Sequence, residues 1–135
     1  MFARYHVHKG ERIEATLQKL DIVDDYEMII EICMLAGTHY FNAALHAADI
    51  SHQMQDQAHT FRPPLEYLRK PVGPEIMGGA KPLAYIESTR IDHVRGAAAY
   101  DRALVERCIK SLAEAKEAFL AIVGSAKDKA VWELE

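Results

Sequence analysis

Two groups of residues in this chain could do chemistry, and each also has a purely structural explanation. The first is "RIDHVRGAAAYDRA", residues 90–103, where Arg90, His93 and Arg95 fall within six positions and are followed by Tyr100 and Arg102. On a helix, Arg90 and His93 share a face and could present two donors to a phosphate, while Arg95 could offset the charge of a scissile phosphate. His93 has the titration range of a general acid–base, so Arg95 and His93 form a candidate ribonuclease centre. The structural alternative is ion pairing with Glu87 or Asp92 at a junction between two helices.

The second group is the histidines, six of seven of which precede residue 60. His39, Asn42, His46 and Asp49 stand at i, i+3, i+7 and i+10, one face of a helix, and His52, Asp56 and His59 continue a neighbouring line. Imidazole and carboxylate suit zinc or iron, so His39, His46 and Asp49 are candidate ligands for a divalent metal. The alternative is a hydrogen-bonded polar seam between helices. The paired Glu-x-x-His of di-iron bundles is absent, as are His-Glu-x-x-His and any Cys-x-x-Cys. Ser51 and Ser88 lack a nucleophile elbow, and "GGAK" lacks the frame of a phosphate loop.

These residues need elements to hold them. The five prolines all fall between residues 63 and 82, together with Gly73, Gly78 and Gly79, which predicts a long central loop over 61–82. A helical half is expected over 10–60. It opens with a short helix near Gly10–Leu20 and continues as a long one carrying Ile30, Cys33, Gly37, Phe41, Ala44 and Ala48 at helical spacing. Asp24 or Asp25 would cap that helix, and Gly37 marks a close helix–helix approach. A second helical half is expected over 83–124, with Asp101 as the cap of a last helix ending near Gly124. The 125–135 tail carries Trp132, expected to pack on the body or a partner chain, and ends in Leu134-Glu135, which could be foreign to the natural sequence. With no alternating strand pattern, the fold expected is an all-α, antiparallel bundle of four to five helices in one domain, 1–135.

At 135 residues and 50% hydrophobic, the chain can bury a core without staples, so Cys33 and Cys108 are expected to be buried free thiols. The formal charge of −4 argues against constitutive, salt-driven binding of nucleic acid, although Arg90, Arg95, Arg102 and Arg107 could form a local basic patch. No run reaches the length of a membrane span and no signal sequence opens the chain, so a cytoplasmic protein is expected.

Two stretches, "GTHYFNAALHAADI" and "RIDHVRGAAAYDRALVERCIKSLAEAKEAFLAIV", resemble the HEPN superfamily of small helical bundles; together they cover 48 of 135 residues. The resemblance implies a dimer, homodimeric or heterodimeric, that binds a nucleotide, RNA or a protein partner such as a nucleotidyltransferase, or that cleaves RNA as a toxin. Nucleases of that family have Arg, four to six intervening residues and then His; from Arg95 that position is Tyr100, and Arg90 has no His at that distance. This departure favours a non-catalytic accessory subunit, without cofactor, that binds through Arg90, His93, Arg95, Tyr100 and Arg102. A metal-independent ribonuclease and a His/Asp metal protein are the alternatives.

Overall fold

The computed structural model describes residues 1–57 and 68–126. Among them the chain is all-helical: α1 (Ala3–Ala15) with a 3₁₀ extension (Thr16–Lys19), α2 (Tyr26–Ala47), α3 (Pro74–Arg90) with a π-helical turn (Ile91–Arg95), and α4 (Arg102–Ala126). Trp132, His59 and the Leu134-Glu135 end lie outside the described residues.

The sequence of α2 explains its central place. Apolar or small residues occur on nearly every side of it, and a helix of that kind is stable only when enclosed. It packs against α1, α3 and α4, while α3 and α4 also pack on each other. Although long and apolar enough to cross a membrane, α2 has 78% of its most apolar window buried within the protein, as a core helix requires. Ile30, Cys33, Tyr40, Phe41 and Leu45 lose all exposure there. Each large apolar side chain so buried contributes about 1.5–3 kcal/mol. The opposing stripe of α4 is Val105, Cys108, Leu112, Ala115, Phe119 and Val123, at helical spacing and buried throughout. Cys33 and Cys108 are buried free thiols, as expected. Burial pushes the Cys108 thiol up to about 11, so it stays protonated and unreactive.

The expected loop over 61–82 is corrected at its C-terminal end, because helix α3 already begins at Pro74. Proline at the first helical position costs nothing, since its missing N–H would be unpaired there anyway. Ile76, Gly79, Leu83, Ile86 and Arg90 then form one buried stripe at helical spacing. Burial of that stripe outweighs the poor propensity of Gly78, Gly79 and Pro82. Gly79 is needed for contact: a Cβ there would lie 2.4 Å from the Phe119 ring, which itself packs on Phe41 with centroids 5.3 Å apart. Gly37 does the same on α2, where a Cβ would meet Leu83 at 2.7 Å, so the close approach expected from the sequence is present.

The helix starts follow their local chemistry. Asp101 Oδ1 accepts bonds from the Ala103 and Leu104 N–H groups, capping α4 as expected. Asp25 holds the cap position of α2, but its carboxylate turns back to the Asp21 N–H, and Asp21 in turn accepts from Val23 and Asp24. The first helix begins at Ala3 rather than near Gly10. The stripe Ala3, His6, Gly10, Ile13 carries it, with a histidine in a position that apolar counting passes over.

Two adjacent glycines in α3 therefore predict substitutions of opposite sign. Gly79→Ala should lower stability to urea by about 1–3 kcal/mol through overpacking against Phe119, despite the better helix propensity of alanine. Gly78→Ala meets nothing within 4 Å and should raise stability by about 0.5–1 kcal/mol. A gain at Gly79 would contradict the close approach of α3 to α4.

Candidate metal centre

Ala3, Ala43 and Ala47 form a small-residue contact that lets α1 approach α2 closely. The His6 ring then sits between two rings of α2, its centroid 5.1 Å from that of His39 and 5.2 Å from that of His46. The segment after α2 closes the group. Ile50 N–H bonds to the Leu45 carbonyl and Asp49 N–H to that of His46, with Asp49 in the left-handed region at φ 56°. This is a Schellman ending, and Asp49 tolerates the conformation better than most non-glycine residues. The chain is thereby turned back along α2. Asn42 then holds Gln57 by both main-chain groups: its amide donates to the Gln57 carbonyl at 3.1 Å and its oxygen accepts from the Gln57 N–H at 2.7 Å.

That clamp places the neighbouring Asp56 against the rings. Its Oδ1 lies 2.8 Å from His6 Nε2 and 2.7 Å from His46 Nε2. These three atoms lie within 4.8 Å of one another. The two imidazole side chains are 2% exposed and the carboxylate 37%, so the group has a dry side and one open side. Asp56 Oδ2 also lies 3.6 Å from the Met1 amino group, which donates to the Gln53 carbonyl.

The proton positions follow from the partners. With no cation present, Asp56 Oδ1 can only accept, so both Nε2 atoms carry hydrogen. His46 Nδ1 then accepts from the Ser51 hydroxyl at 3.0 Å, and His6 Nδ1 accepts from His39 Nδ1–H at 2.9 Å. Every ring is satisfied in the neutral form. The same contacts serve the opposite tautomers: His46 Nδ1–H could donate to the Ser51 carbonyl at 3.2 Å and His6 Nδ1–H to His39, leaving both Nε2 lone pairs directed at Asp56. Metal-bound histidines are oriented by such an outer bond from the other ring nitrogen. Burial pushes the His6 imidazole below its usual 6.5, against the bond and charge of Asp56, which raise it. Burial also opposes ionisation of Asp56, but the hydrogen bonds from His46 and His6 outweigh it and hold the carboxyl well below the usual carboxylate range. A neutral His6 imidazole beside an ionised carboxylate suits the binding of a cation.

Of the residues singled out in the sequence, His39 and His46 belong to this cluster and Asp49 lies apart from it, its carboxylate paired with Arg69 at 3.1 Å and Lys70 at 3.6 Å. His52 accepts the Met54 N–H. His6 and Asp56 complete the group from outside α2. Sequence reading had noted Asp56 only as part of a neighbouring line, and His6 would have been found by extending the first helix back to Ala3.

The 90–103 stretch is held largely by other bonds. Arg90 is 7% exposed, with its guanidinium bonded to Glu31 at 2.7 Å and Glu87 at 3.2 Å. His93 and Arg95 occupy the π-helical turn. Tyr100 packs edge-on against Tyr26 with centroids 4.9 Å apart, and Arg102 pairs with Glu106 at 2.9 Å. No family model matches this chain, and no curated protein or solved structure is significantly similar to it.

Two outcomes follow. Arg90→Met should cost about 3–5 kcal/mol, because it strands the carboxylate of Glu87, which is 1% exposed. Urea melts should show most of that loss recovered in the Arg90→Met/Glu87→Leu double variant, and a neutral single variant would contradict the pairing. The second concerns pH in the presence of a chelator. Unfolded His6 titrates near 6.5 and folded His6 lower, so in that window the unfolded chain binds more protons and stability rises with pH. Asp56 acts with the same sign below about 3.8, where its free form begins to take up protons and the folded form does not. The urea midpoint should therefore fall from about pH 7 to about pH 5, with a shallower fall in His6→Gln.

Proposed function

We propose that this protein is a metal-binding antiparallel helical bundle that holds one divalent first-row transition ion through His6 Nε2, His46 Nε2 and Asp56 Oδ1. The observation that carries this reading is the convergence of those three atoms, two of them on almost fully buried rings. Two histidines and one carboxylate are a donor set for zinc, iron(II), manganese or cobalt. Bonds of about 2.0–2.1 Å set tetrahedral ligand atoms roughly 3.3 Å apart, so Asp56 Oδ1 would move about half an ångström from each Nε2 to admit the ion.

Three protein ligands leave coordination positions free, and the exposed side of Asp56 gives them access to water or an external donor. Such a site suits binding or activation of a small molecule better than a purely structural role, which uses four protein ligands. Ser51 and His39 would be the outer partners that fix the two rings. This reading takes precedence over a nucleotide- or RNA-binding role for residues 90–102, because the Arg90 guanidinium is already bonded to two carboxylates.

The test is native mass spectrometry and elemental analysis of protein loaded with cobalt(II) or zinc(II) and then desalted. The expected result is one ion per chain, with a weak, ligand-field cobalt spectrum. His46→Ala and Asp56→Ala should weaken binding by at least about 10–100-fold, and Asp49→Ala should leave it unchanged. Equal retention by parent and Asp56→Ala would overturn the assignment. The same spectra report whether the bundle is the expected homodimer.

A further inference from the structure

A second concavity, of about 420 Å³, lies between α3 and α4, and its lining differs in character from the rest of this acidic chain. Lys81, Arg107 and Lys110 contribute three cations against the one carboxylate of Glu114. Among the described residues none of the three cations forms an ion pair. The Arg107 guanidinium lies over the Tyr85 ring, 4.0 Å from its centroid, an arrangement that fixes a flexible side chain at the wall. Two hydroxyl groups complete the lining. Tyr85 carries a buried oxygen with no hydrogen-bond partner among the described residues, and Ser111 is only 5% exposed.

We infer that this groove binds a small phosphate ester, its phosphoryl group held by Arg107, Lys81 and Lys110. Three cations around one concavity give it a locally positive potential that attracts an anion. A guanidinium bonds two phosphate oxygens at once, and the ammonium groups add point charges beside it. Ser111, in the lining, supplies a neutral donor. The volume exceeds what phosphate alone fills and falls within the range of small-ligand sites. Glu114 repels the phosphoryl end, so it faces the organic part, where it accepts a bond from a hydroxyl or amino group. The ligand class is therefore a phosphate ester that also carries such a donor. This inference does not rest on the metal site, since the groove uses residues of α3 and α4 alone.

The experiment is calorimetric titration of the full chain with ribose 5-phosphate and with inorganic phosphate, at fixed ionic strength, with and without EDTA. Ribose 5-phosphate should saturate at one per chain and bind more tightly than inorganic phosphate, and EDTA should change neither. Arg107→Gln or Lys110→Gln, both at exposed positions, should weaken binding at least about tenfold. Glu114→Gln should erase the preference for the ester. Binding that EDTA abolishes places the phosphate on a metal instead and overturns the proposal. Non-saturating heat, or equal affinity in Arg107→Gln and parent, overturns it as well.

Discussion

The enclosure of α2 is the constraint on which the other elements depend. A helix enclosed over most of its surface must satisfy the polar groups it buries from within the fold, because a buried donor or acceptor left unpaired costs about 1–3 kcal/mol. Thr38 solves this locally, donating to the Met34 carbonyl one turn back. Tyr40 donates to Glu14 of α1, which also meets Lys116 of α4, so one tyrosine hydroxyl ties three helices together. Asn42 and His46 find their partners in the segment that follows the helix. The path of the chain from Asp49 to Gln57 is thus set by the polar demands of a buried helix. The histidine cluster is where those demands meet.

This dependence also explains what could be read in the sequence. The apolar stripe of α4, the cap at Asp101, the small contact at Gly37 and the buried thiols each depend on neighbours within a turn or two, or on volume alone. The start of α3 was hidden because proline and glycine between 71 and 82 suggest a break. Their effect was outweighed by a buried stripe whose worth appears only when Phe119 and Leu112 are in place. The cluster was half legible for a related reason. Spacing on one helix brings His39 and His46 to a common face, but also Asp49, which the left-handed helix ending turns toward Arg69 and Lys70. The carboxylate that does reach the rings is seven residues further on, and His6 comes from another helix. Neither pairing has a local signature.

Arg90 shows the opposite case, a residue whose type suggests chemistry and whose surroundings assign it to the fold. A guanidinium buried to this degree is stable only with acceptors around it, and Glu87 and Glu31 provide them. The bonds and charge of these carboxylates outweigh the opposing effect of burial and raise its pKa further, so the pair stays ionised. Arg107, by contrast, bonds no carboxylate among the described residues and rests on an aromatic face at a groove. Density of arginine along the chain is therefore a weaker guide to a binding site than the absence of a nearby acidic partner.

The charge balance of the histidine cluster gives the strongest physical reason to expect a cation there. Asp56 remains ionised against partial burial, and among the described residues its nearest formal positive charge is the Met1 amino group, 3.6 Å away. His6 adds little positive charge beside that amino group, because burial favours its neutral form. A divalent ion would have the Asp56 carboxylate as its anionic ligand, and the contacts of Ser51 and His39 already accommodate the ring tautomers that such an ion requires. A polar seam built only to pair two helices would need one tautomer of each ring. Here His46 has both a hydroxyl and a carbonyl of Ser51 within reach of the same nitrogen, so its surroundings serve either proton position.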